Sequence, residues 1–467
     1  MKLNIKTIDM CHGSLIRQMI AYTIPLIFAA FLQLLYNAAD LVVIGQFAGH
    51  DAFAAVGATT SLNSLFINLF IGISGGGCIC VAQYYGARDG KNVSETVHTC
   101  VLFAVLCGIF VAVFSFFFVD DALQIMGTHE DIIDMSALYL RIVLGSAPFT
   151  LFYNFAAGIM RAAGDTKRPF YILVFTGMVN VLLNLLFVIV FHLSVAGVAL
   201  ATAIGSILNA LIAGYLLTRS DDCIRIDIRR LHFHGDKLLK MLNYGIPSGM
   251  QSLLFNISNV IIQSAVNSFG SVAVVGGSAA ASNIEGFIYA VLNSLSQTAL
   301  NFSGQNYGAR KYARVTKTLL NACLLSTCAA LVMGGAVLLF AKPLLRIYEP
   351  NDLEAVKYGL IRLTIVTSTI FLCGIYDSSV STLRGIGSSW APTIIAVISI
   401  IGVRIVWIYT IFRSYHTLET LYVAWPLTWF IAGVLLLSVY FSTRKKRFAR
   451  NEENYLSAPS EKEAAPV

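Results

Sequence analysis

The sequence predicts an all-α polytopic membrane protein whose twelve transmembrane helices form two pseudo-symmetric six-helix lobes. Three observations predict this fold: an apolar composition, long uncharged runs and an internal repeat. The 467 residues are 57% hydrophobic and only 12% charged, with a mean hydropathy of +0.73. Soluble domains are about a quarter charged, so this composition favours a chain that lies in lipid.

The apolar runs indicate helices that cross the membrane. Residues 101–119 and 172–191 carry no charge, and a spanning helix needs roughly 20 such residues. The runs lack the two-residue alternation of a membrane β-barrel. Because several helices are longer than a span needs, we expect tilts or bends at Pro25, Pro247 or Gly75–Gly77. The expected helices lie near 15–45, 52–82, 93–119, 131–158, 168–191, 195–219, 238–268, 274–304, 314–341, 352–382, 390–412 and 416–443.

The second half of the chain repeats the first at a nearly constant separation. Residues 22–25 (YTIP) recur 222 residues later as 244–247 (YGIP), and 83–88 (QYYGAR) recur as 305–310 (QNYGAR). After one inserted residue the separation becomes 223, which pairs Arg161 with Arg384. Matches that stay in register over such a distance indicate a duplication.

The duplication also predicts the domain organisation. Six helices is an even number, so the two copies share one orientation, and their pseudo-two-fold axis should run along the membrane normal. We expect an N-terminal lobe at 1–219, a cytoplasmic linker at 220–240, a C-terminal lobe at 241–443 and a disordered cytoplasmic tail at 444–467.

The net charge of +7 predicts topology rather than a nucleic-acid partner. If the N-terminus lies in the cytoplasm, the inner segments hold 24 Lys and Arg residues and the outer loops hold 4. This is the positive-inside distribution. We therefore expect a multi-pass protein of the cell membrane with both termini in the cytoplasm.

A polar stripe on the first helix is the leading candidate for a functional site. Gln33, Tyr36, Asn37 and Asp40 recur at spacings of three and four residues, which places them on one helical face. A carboxylate within a span costs about 2.5–3.5 kcal/mol, so it usually serves a function such as binding a cation or proton. The structural alternative is a hydrogen-bond network that joins helices.

Helix 5 carries a second stripe, formed by Thr176, Asn180 and Asn184 at intervals of four residues. Hydroxyl and amide oxygens are ligands for hard cations, and a carboxylate supplies the countercharge. The spacing alone leaves open whether this stripe faces Asp40.

Two acids lie in the second half at places that are polar in the first. By the repeat, Glu285 corresponds to Asn63 and Asp377 to Asn154. Acids on the wall of a cavity between the lobes would attract cations, so we expect Glu285, Asp377 and Asn154 to contribute to substrate binding. The substrate-binding residues that we expect on the first helix are Gln33, Tyr36 and Asn37. Asp377 would alternatively pair with an arginine or cap a bend.

Three arginines also lie within predicted spans, at positions 141, 362 and 404. Long side chains can reach the headgroups, and pairing with an acid is equally compatible with the sequence. We treat these arginines as structural. The nine cysteines and the histidines form no metal-binding spacing, and no H-E-x-x-H is present. We expect no metal site and no enzymatic activity.

The motifs in their order resemble the multidrug and toxic compound extrusion (MATE) family over nearly the whole chain, in particular its bacterial multidrug branch. The resemblance rests on the Ile-Pro that opens each half, Asp40, the Gly-Ala-Arg turn at 86–88, the segment 160–169 (MRAAGDTKRP) and the segment 197–202 (GVALAT). It implies an alternating-access antiporter that exports organic cations in exchange for H⁺ or Na⁺, with no other cofactor. We expect it to act as a monomer.

The resemblance also implies an ion site in the first lobe. Carried over residue by residue, this site comprises Asp40, Asn180, Asn184 and Thr202. At Asn184 the family members with the best-defined site have a second aspartate. One carboxylate fewer favours a proton on Asp40 over Na⁺.

Two other classes remain as alternatives. A lipid-linked oligosaccharide flippase shares the two-lobe architecture but would require a cationic cavity, to which the three membrane arginines could contribute. A channel is usually a ring of several copies around an axis, whereas this chain repeats only twice. The sign of the charge on the cavity wall would discriminate an antiporter from a flippase.

Overall fold

The computed structural model describes residues 7–350 and 352–448, and these fold into twelve long helices. Most of these helices bury one face inside the protein and expose apolar side chains on the other, as expected for helices in contact with lipid. We number them α1 Leu15–Ala48, α2 His50–Gly86, α3 Gly90–Ile125, α4 Glu130–Gly145 with Ala147–Ala162, α5 Lys167–Val190, α6 Ser194–Thr218, α7 Gly235–Asn267, α8 Val272–Gly308, α9 Tyr312–Leu339, α10 Leu353–Thr369 with Phe371–Gly385, α11 Trp390–Phe412 and α12 Leu418–Thr443. A short helix, Ala341–Tyr348, precedes α10.

The helices confirm the predicted fold class. In the described part of the chain, eight helices are long and apolar enough to cross a membrane, and α4 and α10 raise the number to ten if each bent pair is one span. The remaining two, α7 and α8, have 33 and 37 residues. They are more polar because they pack between the lobes, where α8 buries residues such as Thr298, Asn301 and Gln305.

Two helices are broken at positions that the sequence analysis did not name. The α1 helix continues through Pro25 and α7 continues through Pro247. Instead α4 bends by 46° after Gly145 and α10 bends by 49° after Thr369, so the fourth helix of each half is broken. In α4 the break precedes Pro148, which cannot donate a backbone hydrogen bond and therefore begins a new helical segment.

Each lobe has its own hydrophobic core. In the first, Phe155 and Ile159 of α4 pack with Val97 and Cys100 of α3. In the second, Tyr376 of α10 packs with aromatic residues of α12. We call the end that carries the α2–α3, α4–α5 and α8–α9 turns the inner end, because the sequence predicts it to face the cytoplasm, and the opposite end the outer end.

Glycines allow the lobes to approach closely where α2 crosses α7. A Cβ at Gly72 would lie 2.5 Å from the Cα of Gly249, and a Cβ at Gly245 would lie 2.5 Å from the carbonyl oxygen of Ile73. Backbone therefore lies directly against backbone at this crossing, and no side chain would fit between the helices.

The linker and the end of the described chain are ordered against the lobes. Between α6 and α7 the chain forms a short 3₁₀ turn, Ile228–Arg230, and Asp222 accepts a hydrogen bond of 2.8 Å from Tyr85 of α2. Helical structure continues beyond α12 to Phe448, whose ring stacks on Tyr312 with a centroid distance of 4.7 Å. The rest of the tail predicted to be disordered, 449–467, lies outside the described residues.

Candidate functional site

The carboxylate of Asp40 lies against helix α5 inside the first lobe. Asn184 donates a hydrogen bond of 2.5 Å from its Nδ2 to Asp40 Oδ1, and the same Nδ2 lies 3.3 Å from Asn180 Oδ1. The two polar stripes predicted from the sequence therefore meet at their outer ends. Among the described residues, no cation is paired with Asp40.

The other members of the two stripes have different partners. Thr176 donates to Asn209 Oδ1 of α6 at 2.7 Å. Tyr36 packs its ring on Gly177, where a Cβ would collide with it, and its hydroxyl donates to the carbonyl of Val174 at 3.4 Å. The Tyr36 contacts fix α1 against α5, and the Thr176 bond joins α5 to α6. For these two residues the contacts match the structural role that the sequence left open.

Gln33 and Asn37 instead line a cavity of about 360 Å³ within the first lobe. Asn63 of α2 and Thr202 and Ser206 of α6 share its wall. None of the residues that line this cavity is charged. It is an uncharged cavity with both polar and apolar residues in its wall, large enough for a small molecule.

Several buried polar atoms around this site lack a partner among the described residues. They are Asn184 Oδ1, Thr202 Oγ1 and Asn63 Oδ1. Buried polar atoms are normally satisfied, so the unpaired oxygen of Asn184 beside Asp40 is an available acceptor for a proton, a cation or water. The structure brings Asp40, Asn180 and Asn184 together, whereas Thr202 lines the cavity with Gln33 and Asn37, so its part in an ion site stays a prediction.

In the second lobe, Glu285 is engaged by an arginine. Arg362 Nε donates to Glu285 Oε1 at 3.1 Å, and Nη2 donates to Oε2 at 2.9 Å. The third contact of the guanidinium is Ser278 at 2.9 Å. Glu285 is 1% exposed, so in this conformation its charge is neutralised, and substrate binding by Glu285 stays a prediction that requires the pair to open.

Asp377 and Asn154 lie at the equivalent places that the repeat predicts, but with local partners. The side chain of Asp377 contacts Cys373 Sγ at 3.5 Å, and Asn154 donates to the carbonyl of Thr150 at 2.9 Å. Neither contact indicates a ligand, so their roles in substrate binding also stay predictions.

The three membrane arginines differ in their surroundings. Arg141 pairs with Asp120 near the outer end of α3, and Arg362 pairs with Glu285. Arg404 is 4% exposed and has no acidic or hydrogen-bond partner among the described residues. Its guanidinium carbon lies 4.9 Å from the ring of Trp425.

The lobes are held together at the inner end by two equivalent hydrogen bonds. Gln83 Nε2 donates to the carbonyl of Gly385 at 2.9 Å, and Gln305 Nε2 donates to the carbonyl of Ala162 at 2.7 Å. These donors and acceptors correspond to one another by the repeat, so the contacts are related by the pseudo-two-fold axis. The QYYGAR/QNYGAR repeat marked these glutamines in the sequence, but their contacts across the lobes were not predicted.

A segment that the sequence analysis missed also joins the lobes. Residues 7–14, which we call the N-terminal strap, lie across the inner end before α1. Arg314 of α9 donates to the carbonyls of Met10, His12 and Gly13 at 2.9–3.1 Å, while the strap's Ile8 donates to the carbonyl of Gly164 in the first lobe. The sequence signal for this contact was weak: a basic residue, Arg314, in the first turn of α9.

These contacts define the conformation of the molecule. In the described part of the chain, the side-chain hydrogen bonds between α1 and α8 and between α2 and α10 all lie in the inner half, including Thr23 to Thr298 at 2.8 Å. The two lobes are therefore held in contact at the inner end, which we describe as closed.

The fold and these sites define a two-lobed helical membrane transporter with an acidic site inside its first lobe. A model of the MatE family matches the chain twice, at residues 25–186 and 247–410, once in each half. The matched segments cover more than half of the sequence, so the chain belongs to the MatE family, as the motifs predicted. It is a transporter and not an enzyme.

Individual relatives agree with this assignment. The probable multidrug resistance protein YoeA of Bacillus subtilis (strain 168) is 28% identical over 445 residues, which cover 93% of this chain and 95% of the relative. An outward-facing multidrug resistance MATE transporter of the MOP superfamily superposes with a TM-score of 0.88 at 20% identity, covering 96% of this chain and 99% of that one. A MOP superfamily transporter from Pyrococcus furiosus, described with a binding pocket of reverse polarity, also superposes with a TM-score of 0.88. It is 22% identical, and the superposition covers 95% of this chain and 99% of that one.

Proposed function

We propose that this protein exports organic cations across the cell membrane in exchange for protons, by alternating access between its two lobes. The single observation that carries this proposal is the carboxylate of Asp40, which lies within the first lobe beside Asn184 and has no cationic partner among the described residues. The names of relatives such as YoeA support multidrug export as the transport activity. The cytoplasmic position of both termini, predicted from the charge distribution, makes the closed inner end the cytoplasmic one.

The proton is the coupling ion that best suits the donor set. The site offers one carboxylate, and Asn184 turns a hydrogen-bond donor toward it, as an ionised aspartate requires. After protonation, Asp40 would donate a hydrogen bond, and a rotation of the Asn184 amide would present the oxygen that is now unpaired. A second carboxylate, which Na⁺ would favour, is replaced here by Asn184.

Coupling requires that the two conformations differ in their affinity for the proton. Asp40 lies on α1, which also contacts α8 of the other lobe through Thr23 and Thr298. A change in the charge of Asp40 would alter how α1 packs on α5. This change would then bias the contact between α1 and α8 and thus the opening of the inner end.

The acid inside the first lobe favours the antiporter over the flippase alternative. A lipid-linked pyrophosphate would require cationic residues, whereas Asp40 is a carboxylate with no cationic partner among the described residues. The organic cation would be neutralised by carboxylates that the cycle exposes between the lobes, for which Glu285 and Asp377 are the candidates.

The experiment that tests the proposal is ethidium efflux from drug-sensitive bacteria that express the wild type or Asp40→Asn. We expect wild-type efflux to require the proton gradient, so that a protonophore stops it, and Asp40→Asn to lose it at normal expression. Efflux that persists in Asp40→Asn would refute the coupling role. Absence of efflux from well-expressed wild type would refute organic-cation export.

A further inference from the structure

Arg404 is a buried charge that the proposed transport cycle does not use. It lies in α11, the fifth helix of the second half, and so occupies the same helix of its lobe as Asn180 and Asn184 do in the first. Its side chain is 4% exposed, and Nε is a buried donor without a partner. Among the described residues, its close neighbour is the indole of Trp425, at 4.9 Å.

The two acids within the predicted spans of the second lobe, Glu285 and Asp377, contact residues other than Arg404. Both oxygens of Glu285 accept hydrogen bonds from Arg362, and the side chain of Asp377 contacts Cys373 rather than an arginine. Arg362 itself lies 5.8 Å from the same indole. Two guanidinium groups therefore flank Trp425 while a single carboxylate neutralises one of them, which leaves an excess positive charge at Arg404.

This excess charge is costly without a counter-ion. Desolvation makes an unpaired ion in a low-dielectric interior unfavourable, and a cation–π contact offsets only part of that cost. An anionic group beside the guanidinium would offset the difference.

We propose that the second lobe contains an internal binding site for one monovalent anionic group, held by Arg404 against Trp425. The group is a free small anion such as chloride or the carboxylate of a transported compound, because both offer a single negative charge to a guanidinium. The first lobe then carries an acidic site and the second lobe a basic one. The inference does not depend on proton coupling at Asp40.

The first arm of the test uses bromide, a halide that quenches tryptophan fluorescence when it is bound nearby. Purified protein is titrated with bromide at constant ionic strength against gluconate. We expect a saturable component of quenching in the wild type and in Arg413→Gln, which removes an exposed arginine that directly follows the outer end of α11. Arg404→Gln should lose the saturable component, and Arg404→Lys should shift it to higher bromide concentration.

The second arm distinguishes a free anion from a carboxylate on the substrate. Rhodamine 110 carries a free carboxyl group, and rhodamine 123 is its methyl ester. If the site takes a substrate carboxylate, Arg404→Gln should reduce rhodamine 110 export at least tenfold and leave rhodamine 123 export near the wild-type level. If the site takes a free anion, export of the two dyes should change equally while bromide quenching is lost.

Retained rhodamine 123 export also shows that the variant is folded and that the proposed export function holds. If Arg404→Gln does not fold, the Arg404→Lys titration decides, because a bromide affinity equal to that of the wild type would overturn the proposal. Wild-type protein with neither saturable quenching nor discrimination between the dyes by Arg404 would overturn it as well.

Discussion

Glu285 and Arg362 form a bidentate ion pair inside the second lobe, with contacts of 3.1 and 2.9 Å. The pair joins α8, which packs against the first lobe, to α10, which is broken by 49°. It therefore couples the helix at the lobe interface to the helix that is most strongly bent. Glu285, which the sequence predicts to bind substrate, thus holds two helices of its lobe together in this conformation.

Removal of one partner should be strongly destabilising. Glu285→Gln leaves Arg362 buried without a counter-ion, for which we expect a loss of about 3–5 kcal/mol in the free energy of unfolding. Thermal unfolding of the purified protein in detergent measures this as a lowered Tm. The double variant Glu285→Gln/Arg362→Gln should recover much of the loss, because no unpaired charge remains.

The matched control is Glu354→Gln, which removes an exposed acid from the first turn of α10 and should leave Tm unchanged. If Glu285→Gln were as stable as this control, the ion pair would not contribute to the stability of the lobe.

A methyl group at the crossing of α2 and α7 should separate the lobes. In Gly72→Ala the new Cβ would lie 2.5 Å from Gly249 Cα, and overpacking of this kind costs about 1–3 kcal/mol. Gly75→Ala in the same helix meets no atom within 4 Å, and we expect it to be neutral or slightly stabilising. Thermal unfolding of the two variants tests this, and equal Tm values would refute the close backbone contact.

A disulfide between α1 and α8 should stop transport. The hydroxyls of Thr23 and Thr298 are 2.8 Å apart, so cysteines at these positions lie within reach of a disulfide. Oxidation of Thr23→Cys/Thr298→Cys should lock the inner end closed and abolish ethidium export, and a reductant should restore it. Each single cysteine variant serves as the control. Normal export by the fully cross-linked protein would show that the inner end need not open at this contact.

The N-terminal strap should detach when Arg314 is removed. Cys11 of the strap lies beside Gln305, and burial raises the pKa of its thiol, so its reaction with maleimide should be slow. Arg314→Gln removes the donors to three strap carbonyls, and we expect Cys11 to become exposed and to react several-fold faster. The other eight cysteines are replaced for this measurement.

Lys317→Gln is the matched control, because Lys317 is an exposed cation one turn further along α9. Loss of the positive charge of Arg314 alone would raise the pKa of Cys11 and slow the reaction. Faster labelling can therefore arise only from exposure, and labelling that is unchanged or slower would contradict a clamping role for Arg314.

The fold could be read from the sequence because its signals are local or periodic. The apolar runs determine where helices lie, and the repeated 22–25 and 83–88 segments reveal the two copies. The breaks in α4 and α10 were not predicted, since Pro148 follows a residue that also looks helical, and α10 has no proline at its break. The sequence predicted tilts or bends at Pro25 and Pro247, and the helical structure continues through both prolines.

The candidate site was only partly predictable for a different reason. A stripe on one helix shows which side chains share a face, but not which other helix they meet, so the contact between Asp40 and Asn184, 144 residues apart, required the structure. The same holds for Glu285 and Arg362, which are 77 residues apart. The sequence shows that a charged side chain within a span is energetically unfavourable. Only the structure shows that Arg362 neutralises Glu285.

The most direct test of proton coupling at Asp40 is ethidium transport into purified proteoliposomes under an imposed pH gradient, without Na⁺. Asp51→Asn, which removes an exposed acid at the start of α2, is the control. The account predicts accumulation against the ethidium gradient by the wild type and by Asp51→Asn, whereas Asp40→Asn should only equilibrate ethidium. Accumulation by Asp40→Asn at the wild-type level would contradict the account.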